Sequence, residues 1–334
     1  MRHWWQPRRT AVAWALWPVS MIYRSLLALL RSRGGPPTDL PVPVLVVGNV
    51  VVGGAGKTPT VVALVQALQQ AGRRPGVISR GHGRSGDSLR AVQPHDRAVD
   101  VGDEPLLVRR RCDVPVWVGR QRRDAGAALC AAHPEVDVLV SDDGLQHLAL
   151  PRQAAVVVFD ERGAGNGLLL PAGPLREPMP TQVPPRCHVL YTAGSCSTAL
   201  PGLLAQRCIS QAWPLDAWHR GDANQARPLA DLRDRPLLAV AGLAAPDKFF
   251  SMLLDAGLRF EAMPQPDHHP YATLPWPADT ADVITTEKDA IKLDAQHIGT
   301  ARVWVVPLDL QLPSALVRAL LTLLPRPTTT APSP

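Results

Sequence analysis

The chain has 334 residues, 46% of them hydrophobic and 19% charged. That is enough for two modest domains or one large one with buried cores, and it excludes wholesale disorder. Five cysteines without a C-x-x-C pair fit the reduced thiols of a cytosolic setting better than a disulfide framework or a zinc site. The formal net charge is +6, and six arginines (Arg2, Arg8, Arg9, Arg24, Arg31 and Arg33) precede the first acidic residue, Asp39. The remainder is formally balanced, so a general nucleic-acid-binding surface is excluded.

The N-terminal segment is apolar as well as basic. No charge falls between Thr10 and Tyr23, and Trp4, Trp5, Trp14 and Trp17 are four of the nine tryptophans. Those 14 uncharged residues fall short of the roughly 20 that span a bilayer, and Pro18 is expected to kink or break a helix. On a helix Ser20, Arg24 and Arg31 share a face, while Leu26, Leu27, Leu29 and Leu30 cover much of the rest. Tryptophan and arginine around a short apolar body predict, over residues 1–33, a helix lying in the membrane interface. A cleaved signal is disfavoured because Arg24-Ser25-Leu26 stands where small residues belong. The competing reading is a helix packed on the protein.

Val42 to Val47 reads as a strand and Thr60 to Ala71 as a helix, joined by the run Gly48-Asn49-Val50-Val51-Val52-Gly53-Gly54-Ala55-Gly56-Lys57-Thr58-Pro59. Strand, glycine loop, Lys-Thr and helix form a phosphate cradle. Gly53, Gly54, Ala55 and Gly56 turn backbone N–H groups toward an anion, and the helix start adds its positive end. Lys57 reaches the β- and γ-phosphates of a nucleotide, and Thr58 offers its hydroxyl to Mg²⁺. Val51 stands where the usual G-x-x-x-x-G-K-[ST] pattern has its first glycine, so the loop is a variant. The loop alone leaves the reaction open: an ATPase or GTPase switch protein, or a soluble small-metabolite kinase, would carry it too.

Further on, Gly76 to Ser79, Val114 to Val118, Val136 to Ser141, Ala154 to Phe159 and Val189 to Thr192 read as strands. Helices start near Val101-Gly102-Asp103-Glu104-Pro105 and run over Gln121 to Ala132. This alternation predicts an α/β fold, a P-loop NTPase-like domain on a mostly parallel sheet. Residues 195 to 235 read as irregular. A smaller C-terminal α/β domain follows, with strands at Pro236 to Gly242, Asp282 to Thr286 and Val303 to Pro307. Its helices are Asp247 to Ala256 and Ala315 to Leu324. The expected division is 1–33, 34–225, 226–324 and a disordered Pro/Thr/Ser-rich tail at 325–334.

Asp142 and Asp143 end an apolar strand, as the phosphate loop does, and in a parallel sheet both lie on the carboxyl edge where ligands bind. Acidic residues there hold Mg²⁺ or its waters; the plain alternative is an ordinary Asp-Gly turn. Asp103 and Glu104 either act chemically or cap their helix. Asp267-His268-His269, in a proline-bounded loop, supplies an orienting or proton-handling imidazole. Only four lysines occur, Lys57, Lys248, Lys288 and Lys292, against 31 arginines. One reason is that a compact ammonium is needed at such sites. Thr286-Glu287-Lys288-Asp289 resembles a guanine reader but places its lysine one position late.

Taken together, the chain resembles the tetraacyldisaccharide 4′-kinases of lipid A biosynthesis. The likeness is carried by the loop run and by Ser79-Arg80-Gly81-His82-Gly83-Arg84, Val101 to Pro105 and Asp142-Asp143-Gly144-Leu145-Gln146-His147. It continues through Pro171 to Pro178, Pro266 to Tyr271 and Thr285 to Asp289. The resemblance implies transfer of the ATP γ-phosphate to the 4′-hydroxyl of a tetraacylated glucosamine disaccharide 1-phosphate, with ATP and Mg²⁺. It implies a monotopic protein on the cytoplasmic face of the inner membrane, partnered by its acylated lipid substrate and the membrane surface, with no obligate protein partner evident. By position, Lys57 binds phosphate, and Thr58, Asp143 and Glu177 belong to the Mg²⁺ shell, for which Asp142 is also a candidate. Asp103 is the base, supported by His268 in preference to His269, with Arg80 and His147 nearby. His82 and Leu145 depart from the pattern, where an aromatic and a phenylalanine are expected.

Overall fold

The computed structural model describes every residue except Met1, Pro7, residues 34–38, Leu148 and residues 326–334. All of the expected disordered tail beyond Pro325 lies outside the described residues.

The first sheet has eight strands: β1 (Val44–Gly48), β2 (Pro75–Ser79), β3 (Arg90–Ala91), β4 (Val116–Val118), β5 (Val138–Asp142), β6 (Ala154–Phe159), β7 (Cys187–Tyr191) and β8 (Leu203–Leu204). Their order is β3-β4-β2-β5-β1-β6-β7-β8, and every pairing is parallel except the short β3 against β4. The pairing Val47↔Asp142 aligns the ends of β1 and β5. The phosphate loop and the Asp142-Asp143 turn therefore leave the sheet at one edge.

Alternation along β1 explains the layers. Leu45 and Val47 pack with Val61, Leu64, Val65 and Leu68 of a helix, α1 being reserved for the N-terminal one and this being α2 (Lys57–Gln70). Val44 and Val46 face the other way, onto Ala125 and Leu129 of a helix at Arg122–Ala132. A strand with both faces covered reads as a continuous apolar run, as Val44 to Val47 does. Full burial of Leu64 alone contributes roughly 1.5–3 kcal/mol.

The second sheet takes the order β11-β10-β15-β14-β12-β13, with β10 (Gln211–Pro214), β11 (Arg227–Pro228), β12 (Leu237–Ala241), β13 (Phe260–Pro264), β14 (Asp282–Thr286) and β15 (Arg302–Val306). Its centre is parallel, while β10 runs antiparallel to β15. Residues 195 to 235 are therefore not irregular throughout: they hold β8, β9 (Gln206–Cys208), β10 and β11 and a helix at Leu215–Arg220. Short strands rich in proline and glutamine lack the apolar signal that marks a buried strand. The helix Ser314–Leu323 sends Leu316 and Leu320 into the core built around α2, so it packs back against the first sheet's layer.

Helix α1 spans Ala11–Arg33 and continues through Pro18. Its 23 residues make it long and apolar enough to cross a membrane by length and composition, about 34 Å at 1.5 Å per residue, which the uncharged run alone understated. One face is docked on the segment before Glu177. Ser20 Oγ donates to Leu169 O at 2.9 Å and accepts from Ala172 N at 3.1 Å, and Tyr23 Oη donates to Arg176 O at 2.9 Å. Ala13 packs on Leu168 and Ala172. The opposite face leaves Trp14 54%, Ile22 70%, Leu26 51% and Leu30 57% exposed.

Candidate active site

The phosphate loop closes on Gly56, which has φ 88° and precedes Lys57, the first residue of α2. A Cβ there would lie 3.1 Å from Thr192 Oγ1, in a left-handed conformation that suits glycine. Lys57 Nζ donates to Asn49 Oδ1 at 3.2 Å and lies 3.6 Å from Asp143 Oδ1. Arg176 grips the same carboxylate from the other side, at 2.8 Å to Oδ1 and 3.1 Å to Oδ2. Burial opposes the charge on Asp143, but Lys57 and Arg176 outweigh it and hold its pKa below the ordinary value.

Asp142 is 3% exposed, and its Oδ1 has no hydrogen-bond partner among the described residues. Burial first, then the Glu104 carboxylate, pushes its pKa up to about 7 against the pull of Lys57. An orphaned buried carboxylate oxygen beside Asp143 and the Thr58 hydroxyl is a hard-oxygen donor set, the kind that Mg²⁺ accepts while keeping several waters. Glu177 accepts from Gln146 Nε2, a residue of the cavity wall, at 2.8 Å and pairs with Arg31 of α1.

Asp103 opens the helix Asp103–Cys112, which we number α4 after a single turn, α3, at Ala98–Val101. The N-cap position is Gly102, so Asp103 stands at the first helical residue. A Cβ on Gly102, at φ 94°, would lie 3.1 Å from the Gly81 backbone, so a side chain there would be both strained and crowded. Asp103 is 7% exposed. Its Oδ1 accepts from Glu104 N at 3.0 Å and its Oδ2 lies 3.0 Å from His268 Nδ1. Burial raises the pKa of Asp103, but the His268 hydrogen bond and the cations Lys288 and Lys292 more than offset it, so the carboxyl is more acidic than usual. The bond to Asp103 raises the His268 pKa, with burial and Lys288 opposing. His269 instead accepts from Tyr271 N at 3.2 Å, which leaves His268 as the histidine on Asp103. His82 sets its ring edge-on to His268 with centroids 6.2 Å apart.

These groups meet at one cavity of about 770 Å³, whose wall includes Lys57, Thr58, Asp142, Asp143, Glu104 and His268. Arg80 and His147 also line it. Burial and the arginines Arg122 and Arg152 lower the His147 pKa, which favours the neutral imidazole. Asp143 at φ 51° and His268 at φ 59° both stand in the left-handed region, where a non-glycine residue costs of order 1–3 kcal/mol. Arg176, Asn49 and Gln146 were not singled out from the sequence, although each lies within a motif quoted above. Their signal was adjacency to assigned residues, not spacing. Leu145 packs its Cγ where a Cβ on Gly48 would reach 2.7 Å, so it fills the space beneath the loop strand.

Thr286-Glu287-Lys288-Asp289 does not read a base. Asp289 is fully buried and accepts from Gly242 N at 3.0 Å and from Thr286 Oγ1 at 2.7 Å. Glu287 accepts from Arg111 Nη1 at 2.7 Å and Trp218 Nε1 at 3.0 Å.

A strand–loop–helix cradle at the carboxyl edge of a parallel sheet, faced by an acidic pair from the neighbouring strand, makes this a phosphate-loop nucleotide-binding protein. The family described as tetraacyldisaccharide-1-P 4′-kinase (LpxK) matches residues 12–325. A tetraacyldisaccharide 4′-kinase of Leptothrix cholodnii is 53% identical, covering 94% of this chain and 93% of its own. One of Methylibium petroleiphilum is 50% identical, covering 95% and 91%. The crystal structure of LpxK from Aquifex aeolicus in complex with ATP is similar in fold, with a TM-score of 0.74, 25% identity, and 94% of this chain and 99% of that one covered. The chain belongs to the tetraacyldisaccharide 4′-kinase family.

Proposed function

We propose that the chain transfers the γ-phosphoryl group of ATP to the 4′-hydroxyl of tetraacyldisaccharide 1-phosphate. Family membership carries the substrate, and one geometric observation carries the chemistry: His268, hydrogen-bonded to Asp103, lines the same cavity as the Lys57 loop. Loop N–H groups and Lys57 cradle the β- and γ-phosphates. Thr58, Asp142, Asp143 and Glu177 would hold Mg²⁺ or its waters, and the ion would supply charge neutralisation between the phosphates. Arg176 and Lys57 keep Asp143 ionised and aimed.

Asp103 accepts the hydroxyl proton as the sugar oxygen bonds to the γ-phosphorus and the bond to the β-phosphate oxygen breaks, its electron pair leaving with ADP. A carboxylate has about four acceptor sites, so the two bonds to Glu104 and His268 leave room for the incoming O–H. Such a base contributes about 10²- to 10⁴-fold in rate.

The acyl chains remain in the bilayer, because each buried CH₂ is worth about 0.8 kcal/mol there. The exposed apolar face of α1 lies in the inner-leaflet interface, since Ser20, Tyr23 and Arg31 tie its other face to the protein body. We place the boundary between the two lobes ahead of Gln211, because β10 pairs with the second sheet.

The test is transfer of labelled γ-phosphate from ATP to tetraacyldisaccharide 1-phosphate in mixed micelles, for wild type and Asp103→Ala. Transfer by wild type that collapses in the variant supports the reading. No wild-type transfer despite demonstrated Mg·ATP binding overturns it.

A further inference from the structure

Lys288 is one of only four lysines in the chain, and its position next to the base pair gives it a task. It stands at the start of the short helix Glu287–Ala290, directly after β14. Its Nζ lies 3.2 Å from His268 Nε2 and 3.3 Å from Asp267 Oδ1. Those two partners are themselves 3.9 Å apart, beyond hydrogen-bond reach. The ammonium therefore sits between the imidazole and a carboxylate that would otherwise favour its protonated form.

An ammonium has three N–H donors and no acceptor. Contact with Nε2 requires a lone pair on that nitrogen, which puts the ring proton on Nδ1. Nδ1 is the atom 3.0 Å from Asp103 Oδ2, so this tautomer donates to the carboxylate. We propose that Lys288 is a positioning residue that holds His268 as the neutral Nδ1–H tautomer, so that Asp103 and not the imidazole receives the hydroxyl proton. The proposal deepens the base assignment above and rests on it.

The charges around His268 define what happens without Lys288. Asp103 faces Nδ1 from α4, Asp267 approaches Nε2 from the same loop, and His82 meets the ring edge from the loop after β2. Lys292 acts on Asp103 rather than on the ring. Removing Lys288 leaves an imidazole between two carboxylates, an arrangement that favours imidazolium. An imidazolium beside Asp103 makes the carboxylate a poorer proton acceptor. Arginine at position 288 would still present N–H donors to Nε2, whereas methionine keeps the chain length and removes the donor.

The experiment uses full-length protein in detergent micelles, labelled with ¹⁵N-histidine, with the His268 signals assigned by their loss in His268→Gln. At a pH above its raised pKa, His268 in the wild type is expected to show a protonated Nδ1 and a lone-pair-bearing Nε2. Lys288→Met should show a protonated Nε2. The acid limb of its kcat/KM profile should move up by about one pH unit, about tenfold in rate on that limb. Lys288→Arg should restore both signatures.

An Nε2–H ring in wild type at that pH overturns the proposal. So does a Lys288→Met protein whose ring signature and acid limb match wild type while Mg·ATP binding is retained. If Lys288→Met does not fold, the wild-type and Lys288→Arg spectra decide. Undiminished transfer by Asp103→Asn would instead remove the base assignment, while the ring signature would still report what Lys288 does.

Discussion

Replacing Asp103 by asparagine separates chemistry from shape. The side chain keeps its size but loses its ability to take a proton, so turnover should fall by about 10²- to 10⁴-fold, or about 2.7–5.5 kcal/mol at 1.36 kcal/mol per tenfold. The hydrogen bonds set a second magnitude. Asp103 accepts from Glu104 N and from His268 at once, each at 3.0 Å. An amide carries one acceptor oxygen and one donor nitrogen, so one of these N–H groups loses its partner in a site only 7% exposed. An unsatisfied buried group costs about 1–3 kcal/mol, so Asp103→Asn should also lower stability by about that amount. The assay is phosphoryl transfer in mixed micelles at saturating ATP, with Mg·ATP affinity measured separately and unfolding followed in urea. Transfer within tenfold of wild type, with Mg·ATP bound normally, would refute the assignment of Asp103 as base.

The same pair makes a pH prediction. The folded pKa of Asp103 is depressed, so its contribution to stability is present above its unfolded value, about 3.9, and is lost as pH falls through the folded value. The folded pKa of His268 is raised, so its contribution is complete below about 6.5 and is lost as pH rises through the folded value. The stability gap between wild type and Asp103→Asn should therefore be wider at pH 5 than at pH 9; equal gaps in urea melts would contradict the pairing. Gly56→Ala forces a Cβ to within 3.1 Å of Thr192 Oγ1 at φ 88°, and should weaken ATP binding at least tenfold by calorimetry. Lys57→Ala should abolish transfer while Arg176 still holds Asp143, a loss read in the same micelle assay. Leu26→Glu with Leu30→Glu, on the exposed face of α1, should release the protein from anionic vesicles in sedimentation without changing its melting temperature.

Local chemistry made much of this protein legible in the sequence. A phosphate loop needs a strand, consecutive glycines, Lys-Thr and a helix within about 20 residues, and it needs nothing distant to be recognised. The buried strands announced themselves as apolar runs, and the ends of β1 and β5 as points where such runs stop at polar residues. The family likeness rested on the same short ordered stretches.

What only the tertiary structure decided are relations between residues far apart in the chain. Asp103 and His268 are 165 positions apart, and Glu177 meets Arg31 across 146, so neither contact can be read from spacing along the chain. The short strands between residues 203 and 228 carry no apolar period, because pairing partners supplied by β7 and β15 stabilise them in place of their own propensity. The choice between His268 and His269 turned on one left-handed residue, which sends adjacent side chains to different partners. The place of Lys288 between an imidazole and a carboxylate is decided the same way. Sequence names the groups that can do chemistry, but hydrogen bonding acts over about 3 Å, and only the folded chain sets which groups come that close.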